Sequence, residues 1–94
     1  RDDNMGEVAV KYKIMCDPEI EDASADLIAA NMSVLESDVG EVQLVETKPL
    51  AFGLKFVEAH CVIKEGDGTV DIFEDAIRAI QGVGEVEVLE IGRL

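Results

Sequence analysis

The chain has 94 residues, enough for one domain and too few for two. Apolar residues make up 48% of it, which argues against disorder, and no apolar run is long enough to span a membrane. Twenty-one acidic residues against eight basic ones leave a formal charge of −13, a field that repels phosphate backbones and disfavours direct nucleic-acid binding. The excess acid suits a partner with basic patches, or simply keeps the protein soluble, as in a salt-rich cytoplasm.

Arg1 to Asn4 precede Met5-Gly6-Glu7-Val8, which reads as a natural start. The first four residues are therefore expected to be a cloning leftover, with residues 5–94 as the single domain. No secretory leader pattern is visible, so a cytoplasmic location is expected. Cys16 and Cys61 form no CxxC pair, and His60 is the only histidine, so no zinc site is expected and the thiols read as reduced.

The first element is a strand. In "EVAVKYKIMC" Val8, Val10, Tyr12, Ile14 and Cys16 share one face, with Lys11 and Lys13 on the other. Asp17-Pro18 ends it. Leu27, Ile28, Asn31, Val34 and Leu35 then recur at helical spacing, predicting a helix over Asp22 to Ser37. Gly40 breaks to a second strand, "EVQLVETK", read as Val42 and Leu44 facing away from Gln43 and Val45.

"PLAFGLKF" interrupts the strand pattern at Phe52-Gly53, the mark of a bend. A third strand is predicted over Leu54 to Lys64, with Val57, Ala59, Cys61 and Ile63 on one face and Phe56, Glu58, His60 and Val62 on the other. "EGDG" is a turn, Thr69 is the expected N-cap of a second helix, and Val70, Phe73, Ile77 and Ile80 form its stripe. Gly82 and Gly84 frame the helix end. The last strand, "EVEVLEI", slips in phase at Val88-Leu89, where a bulge is expected. Strand-helix-strand, twice, predicts an α+β ferredoxin-like sandwich: a four-stranded antiparallel sheet with both helices on one face.

That fold serves many functions, so the residues must decide. An RNA reader needs basic and aromatic side chains on the central strands, and Lys11, Lys13, Phe56, Glu58 and His60 are too mixed for it. Gly66 to Thr69 reads as a strand-to-helix turn rather than an anion cradle, because Glu65, Asp67 and Asp71 repel phosphate. His60 has no second base or nucleophile placed beside it, and no carboxylate stands in an apolar setting, so no catalytic site, metal site or cofactor is expected. Two contact features remain. Phe52 is expected to project from the bend, and the topology is read as placing this bend at the same sheet end as Gly92-Arg93-Leu94.

"PLAFGLK", "AHCVIKEGDGTVD" and "FEDAIRAIQGVGEVEVLEIGRL" resemble the archaeal translation elongation factor 1-beta family and the C-terminal exchange domain of its eukaryotic counterparts. The likeness is good from Pro49 to Leu94 and looser before it. It implies a guanine nucleotide exchange factor that is not itself an enzyme. The implied partner is elongation factor 1-alpha in its GDP form, with the factor monomeric when free. It further implies partner contact through Phe52, with Gly53, Leu54 and Lys55 completing the loop. Arg93, followed by Leu94, falls where the family places a basic residue that reaches the GTPase magnesium site. Eukaryotic members carry lysine there, and arginine differs in bulk and in its planar fork. The rival reading is a small-metabolite regulatory module of the same topology. Such a module would need a ligand loop near Asp17-Pro18 and would be a dimer or larger.

Overall fold

The computed structural model describes residues 6–20 and 24–94. The expected cloning leftover at Arg1–Asn4 and the predicted helix start at Asp22 lie outside the described residues. The described elements are β1 (Glu7–Cys16), α1 (Ala25–Ser33), β2 (Gly40–Pro49), a short 3₁₀ turn (Ala51–Gly53), β3 (Lys55–Lys64), α2 (Thr69–Arg78) and β4 (Val83–Arg93). All ladders are antiparallel, in the order β2-β3-β1-β4. This is the predicted ferredoxin-like arrangement, with β1 and β3 at the centre.

The alternations of β1 and β3 carry the core. Val10, Tyr12 and Ile14 from β1 and Val57, Ala59, Cys61 and Ile63 from β3 are all buried. Phe73 and Ile77 of α2 pack onto them, with Val70 and Ile80 at the margin, as the helical stripe predicts. Tyr12 stacks on Phe73 with ring centroids 6.4 Å apart, and its hydroxyl donates to Glu74 at 3.1 Å. One polar tip in the core is thereby satisfied, and burial beside Glu74 pushes the Tyr12 pKa up.

Three expectations need correction. In β2, Cys61 pairs with Val42 and His60 with Leu44, so Gln43 is an extra residue. That bulge flips the phase: Val42 and Val45 pack on the core while Leu44 is half-exposed on the open face. The first helix ends at Ser33, four residues early, as Val34 and Leu35 turn through tighter bonds to Asn31 and Met32. Its buried stripe is Ala25, Ile28 and Met32, leaving Leu27 and Val34 in solvent, and Ser24 caps it by accepting from the Leu27 N–H. Thr69 does not cap α2; Gly68 holds that place, and the Thr69 hydroxyl donates to the Lys64 and Gly66 carbonyls.

The last strand slips where predicted. Val88 faces Tyr12 and Glu90 faces Lys11, so Leu89 is the bulged residue. Gly84 is a second extra residue, between Glu85 opposite Met15 and Val83 opposite Cys16. A Cβ on Gly84 would lie 2.7 Å from the Asp17 Cα, so only glycine lets β4 start this close to the end of β1.

Candidate functional site

Direction of travel along the strands separates the two candidate contact features. β1 starts where β3 ends, with Glu7 opposite Lys64, and where β4 ends, with Val8 opposite Arg93. The β2–β3 bend lies at the other end of the sheet, beyond Lys55. Since β3 runs from Lys55 to Lys64, the bend and the tail stand roughly 30 Å apart. The expected proximity of Phe52 to Gly92-Arg93-Leu94 is therefore wrong.

At the bend, Leu50 donates to the Leu54 carbonyl and Leu54 donates back to Ala51 at 3.3 Å, closing a tight loop. Inside it Phe52 has φ 63° and ψ 31°, the left-handed conformation, followed by Gly53 at φ 75°. Two successive left-handed residues reverse the chain and throw the Phe52 side chain outward, where it is 98% exposed. A phenylalanine there costs about 1–2 kcal/mol in backbone strain and returns no burial. Leu54 follows as a half-exposed apolar side chain, and Lys55 begins β3 with its ammonium 3.6 Å from the Asp26 carboxylate. A hollow of about 720 Å³ runs beneath the loop, with Met15, Cys16, Ile20, Ala25 and Leu54 among its walls. The surface at this end is largely apolar, and its charged rim is Lys55 with Asp17, Asp26 and Glu85.

The tail end has a different character. Leu94 donates its N–H to the Glu7 carbonyl at 2.9 Å, so β4 stays laddered to its last residue. Arg93 is largely exposed, and its Nε donates to Glu65 Oε2.

Between the ends, the open sheet face is lined with paired charges. Glu58, 8% exposed, accepts from Lys48 Nζ at 2.9 Å, with His60 Nε2 3.5 Å from the same oxygen. The Lys48 hydrogen bond holds the Glu58 carboxyl below its usual range, and the same bond pushes Lys48 up. Lys13 lies over the Phe56 ring at 5.0 Å, and Lys11 is 3.7 Å from Glu90. Glu46, Glu58 and His60 are the one group among the described residues with metal-ligand chemistry and spacing, their ligand atoms within 4.8 Å of one another. Lys48 already supplies that group's positive charge, 3.8 Å from Glu46 as well. Sequence reading missed the burial of Glu58; its strand partners Lys13 and Glu46, with Lys48 two residues on, are the signal that could have found it. Both cysteines are unpaired, and burial pushes the Cys61 thiol up to about 12. His60 meets no nucleophile, and the described residues assemble no catalytic constellation.

The bend combines left-handed backbone at Phe52 and Gly53 with an apolar ring left in solvent. The family model for the EF-1 guanine nucleotide exchange domain matches residues 9–94, a span that includes both ends of the sheet. The chain belongs to that family. Among its relatives, the elongation factor 1-beta of Methanosphaerula palustris is 32% identical over 87 residues, covering 93% of this chain and 96% of the relative. That of Methanococcoides burtonii is 34% identical over 89 residues, covering 95% and 98%. That of Halobacterium salinarum is 32% identical over 90 residues, covering 96% of this chain and the whole relative. Membership rests on the first half of the chain as well as the second, beyond the Pro49–Leu94 stretch that carried the resemblance. Within the family frame, Phe52 to Lys55 form one contiguous surface, and Arg93 and Leu94 form another at the far end.

Proposed function

We propose that this protein is a guanine nucleotide exchange factor for elongation factor 1-alpha, acting on the GDP-bound form during translation elongation and forming no bonds with a substrate. Family membership supports the exchange role, and the observation that carries the contact assignment is the Phe52 ring held out at the strained bend. Phe52 and Leu54 enter an apolar pocket on the GTPase, with Lys55 at its margin, and fix the factor in place. Arg93, some 30 Å away along the sheet, reaches the magnesium and phosphate site. Magnesium bridges the nucleotide phosphates to the GTPase, so a guanidinium that displaces the ion or its protein ligands removes the bridge and loosens GDP. Reciprocity of the coupling means that bound nucleotide in turn expels the factor, and one copy serves many GTPases. The two-ended placement makes the sheet a rigid spacer between anchor and effector.

The test is release of fluorescent GDP from an archaeal elongation factor 1-alpha with the protein substoichiometric. Acceleration by the intact chain is expected to fall at least tenfold in Phe52→Ala and in a chain ending at Gly92. A folded protein that leaves GDP release unchanged sinks the reading. The same preparations are expected to sediment as monomers; a dimer that binds a small metabolite beside Asp17-Pro18 would support the regulatory-module alternative, since the 720 Å³ hollow borders that turn.

A further inference from the structure

Arg93 ends β4 on the helix-covered side of the sheet, opposite Val8, and shares a shallow hollow with Glu65, Asp67 and Thr69. An arginine at a strand end on an acidic surface has several carboxylates to choose from. Its partner is Glu65, and Glu65 is a half-buried acid with neighbours that restrict it. Its N–H donates to the Gly6 carbonyl at 2.9 Å, anchoring its backbone to the start of β1. Its carboxylate lies across Gly6, where an added Cβ would come within 2.5 Å of Oε1. Its other oxygen, Oε2, accepts from Arg93 Nε. Thus the Glu65 backbone is tied to Gly6, its carboxylate packs over that residue, and Oε2 is offered to β4.

We propose that Glu65 is a positioning residue for exchange: it grips Arg93 through Nε and presents the two Nη groups of the guanidinium to the nucleotide site. The inference rests on the role proposed for Arg93 above. The geometry supplies a reason for arginine at this position. A guanidinium carries five N–H donors in a planar fork, so Nε can be tied down while both Nη groups remain for a phosphate. A lysine has a single nitrogen, and the same grip would hold the group meant to do the work. The backbone completes the device, because the Leu94 N–H bond to Glu7 keeps the residue beyond Arg93 in the ladder. An exposed pair of this kind contributes about 0.2–1 kcal/mol, which is enough to bias an orientation and too little to lock the arginine away from a partner.

The test pairs Glu65→Gln with Arg93→Ala, singly and together, in the GDP-release assay. Glu65→Gln is expected to lower the maximal acceleration about 1.4- to fivefold, the rate equivalent of that energy, with the half-saturating concentration within twofold of the intact protein. In the Arg93→Ala background the same change is expected to cost nothing further. A melting temperature within 2–3 °C of the intact protein would accompany both, as for most surface changes away from the core. Full or faster exchange by Glu65→Gln, or an equal loss with Arg93 already gone, overturns the positioning role. If the intact protein fails to accelerate release at all, the exchange reading falls, and a second measurement still judges the grip. The ¹⁵Nε–H resonance of Arg93 is expected to be slow to exchange in the intact protein and lost in Glu65→Gln; its persistence would overturn the proposal.

Discussion

The two ends of this sheet each hold one side chain out into solvent, and they do so by different physics. At the bend the restraint is covalent geometry: Phe52 and Gly53 take left-handed dihedrals inside a loop closed by Leu50 and Leu54. At the tail the restraint is a charge pair and one terminal ladder bond, Arg93 to Glu65 and Leu94 to Glu7. Backbone strain is indifferent to salt and pH, whereas an exposed ion pair is screened within about 10 Å at ordinary ionic strength. An apolar side chain thus sits on the stiff end and a cationic one on the adjustable end. Orientation at the bend is set by the backbone itself, while the tail can be re-aimed by the charges it meets.

The largest way to break the comparison is to remove what joins the ends. Phe73 packs fully buried against the sheet, and Phe73→Ala is expected to cost about 3–5 kcal/mol, read by urea unfolding. In a domain this small, both contact surfaces should be lost together in one cooperative transition. A variant that unfolds in two steps would show that the ends are separately stabilised. The bend can be sharpened on its own. Gly53→Ala places a side chain at φ 75° and is expected to destabilise by about 1 kcal/mol, although no atom would crowd the added Cβ. Phe52→Gly removes the strained side chain and is expected to leave stability unchanged or raised by up to about 1 kcal/mol while exchange is lost. Equal destabilisation by both would mean that Phe52 is held by contacts rather than by the loop.

The smallest effect concerns the face between the ends. Because Lys48 depresses the folded-state pKa of Glu58, this acid adds stability at pH values above its unfolded value, and the contribution is lost as pH falls through the depressed one. For Lys48 the folded value is raised, so its share is present below the unfolded value and is lost only in strong alkali. Acid unfolding of the intact protein should therefore show a component below pH 4.5 that Glu58→Gln abolishes. An unaltered acid limb in that variant would show the pair to be ornamental.

What the sequence made legible follows from which signals are local. The period-two runs of β1 and β3, the stripe of α2 and the slip at Val88-Leu89 are each contained in a few residues, and all four appear in the structure. The bulge at Gln43 was hidden because "VQLV" alternates acceptably in either phase, and only pairing with β3 shows that Val45, not Leu44, turns inward. Phe52 stood out because a strand pattern broke around it. Its separation from Arg93 was misread for a reason unrelated to side chains. Each strand or helix reverses the chain's direction, so the hairpin and the chain end fall on opposite sides by counting alone. Glu65 was passed over as one more acid beside a turn, since nothing in "KEGDG" reveals that Gly6 lies beneath its carboxylate.

The bulge at Leu89 has a bearing on self-association. β4 is an edge of the sheet, eleven residues long, and carries half-exposed Val88, Leu89 and Ile91. A flat edge of that length and composition would template a second copy, strand against strand. Extra residues at Gly84 and Leu89 break the spacing of its free N–H and C=O groups at two places, and Glu85 and Glu87 add like charge to the open side, where Glu90 is paired with Lys11. Two such edges brought together would meet out of step and repel. The irregularity that disturbs the alternation of the last strand thus leaves an edge on which a second copy finds no continuous ladder.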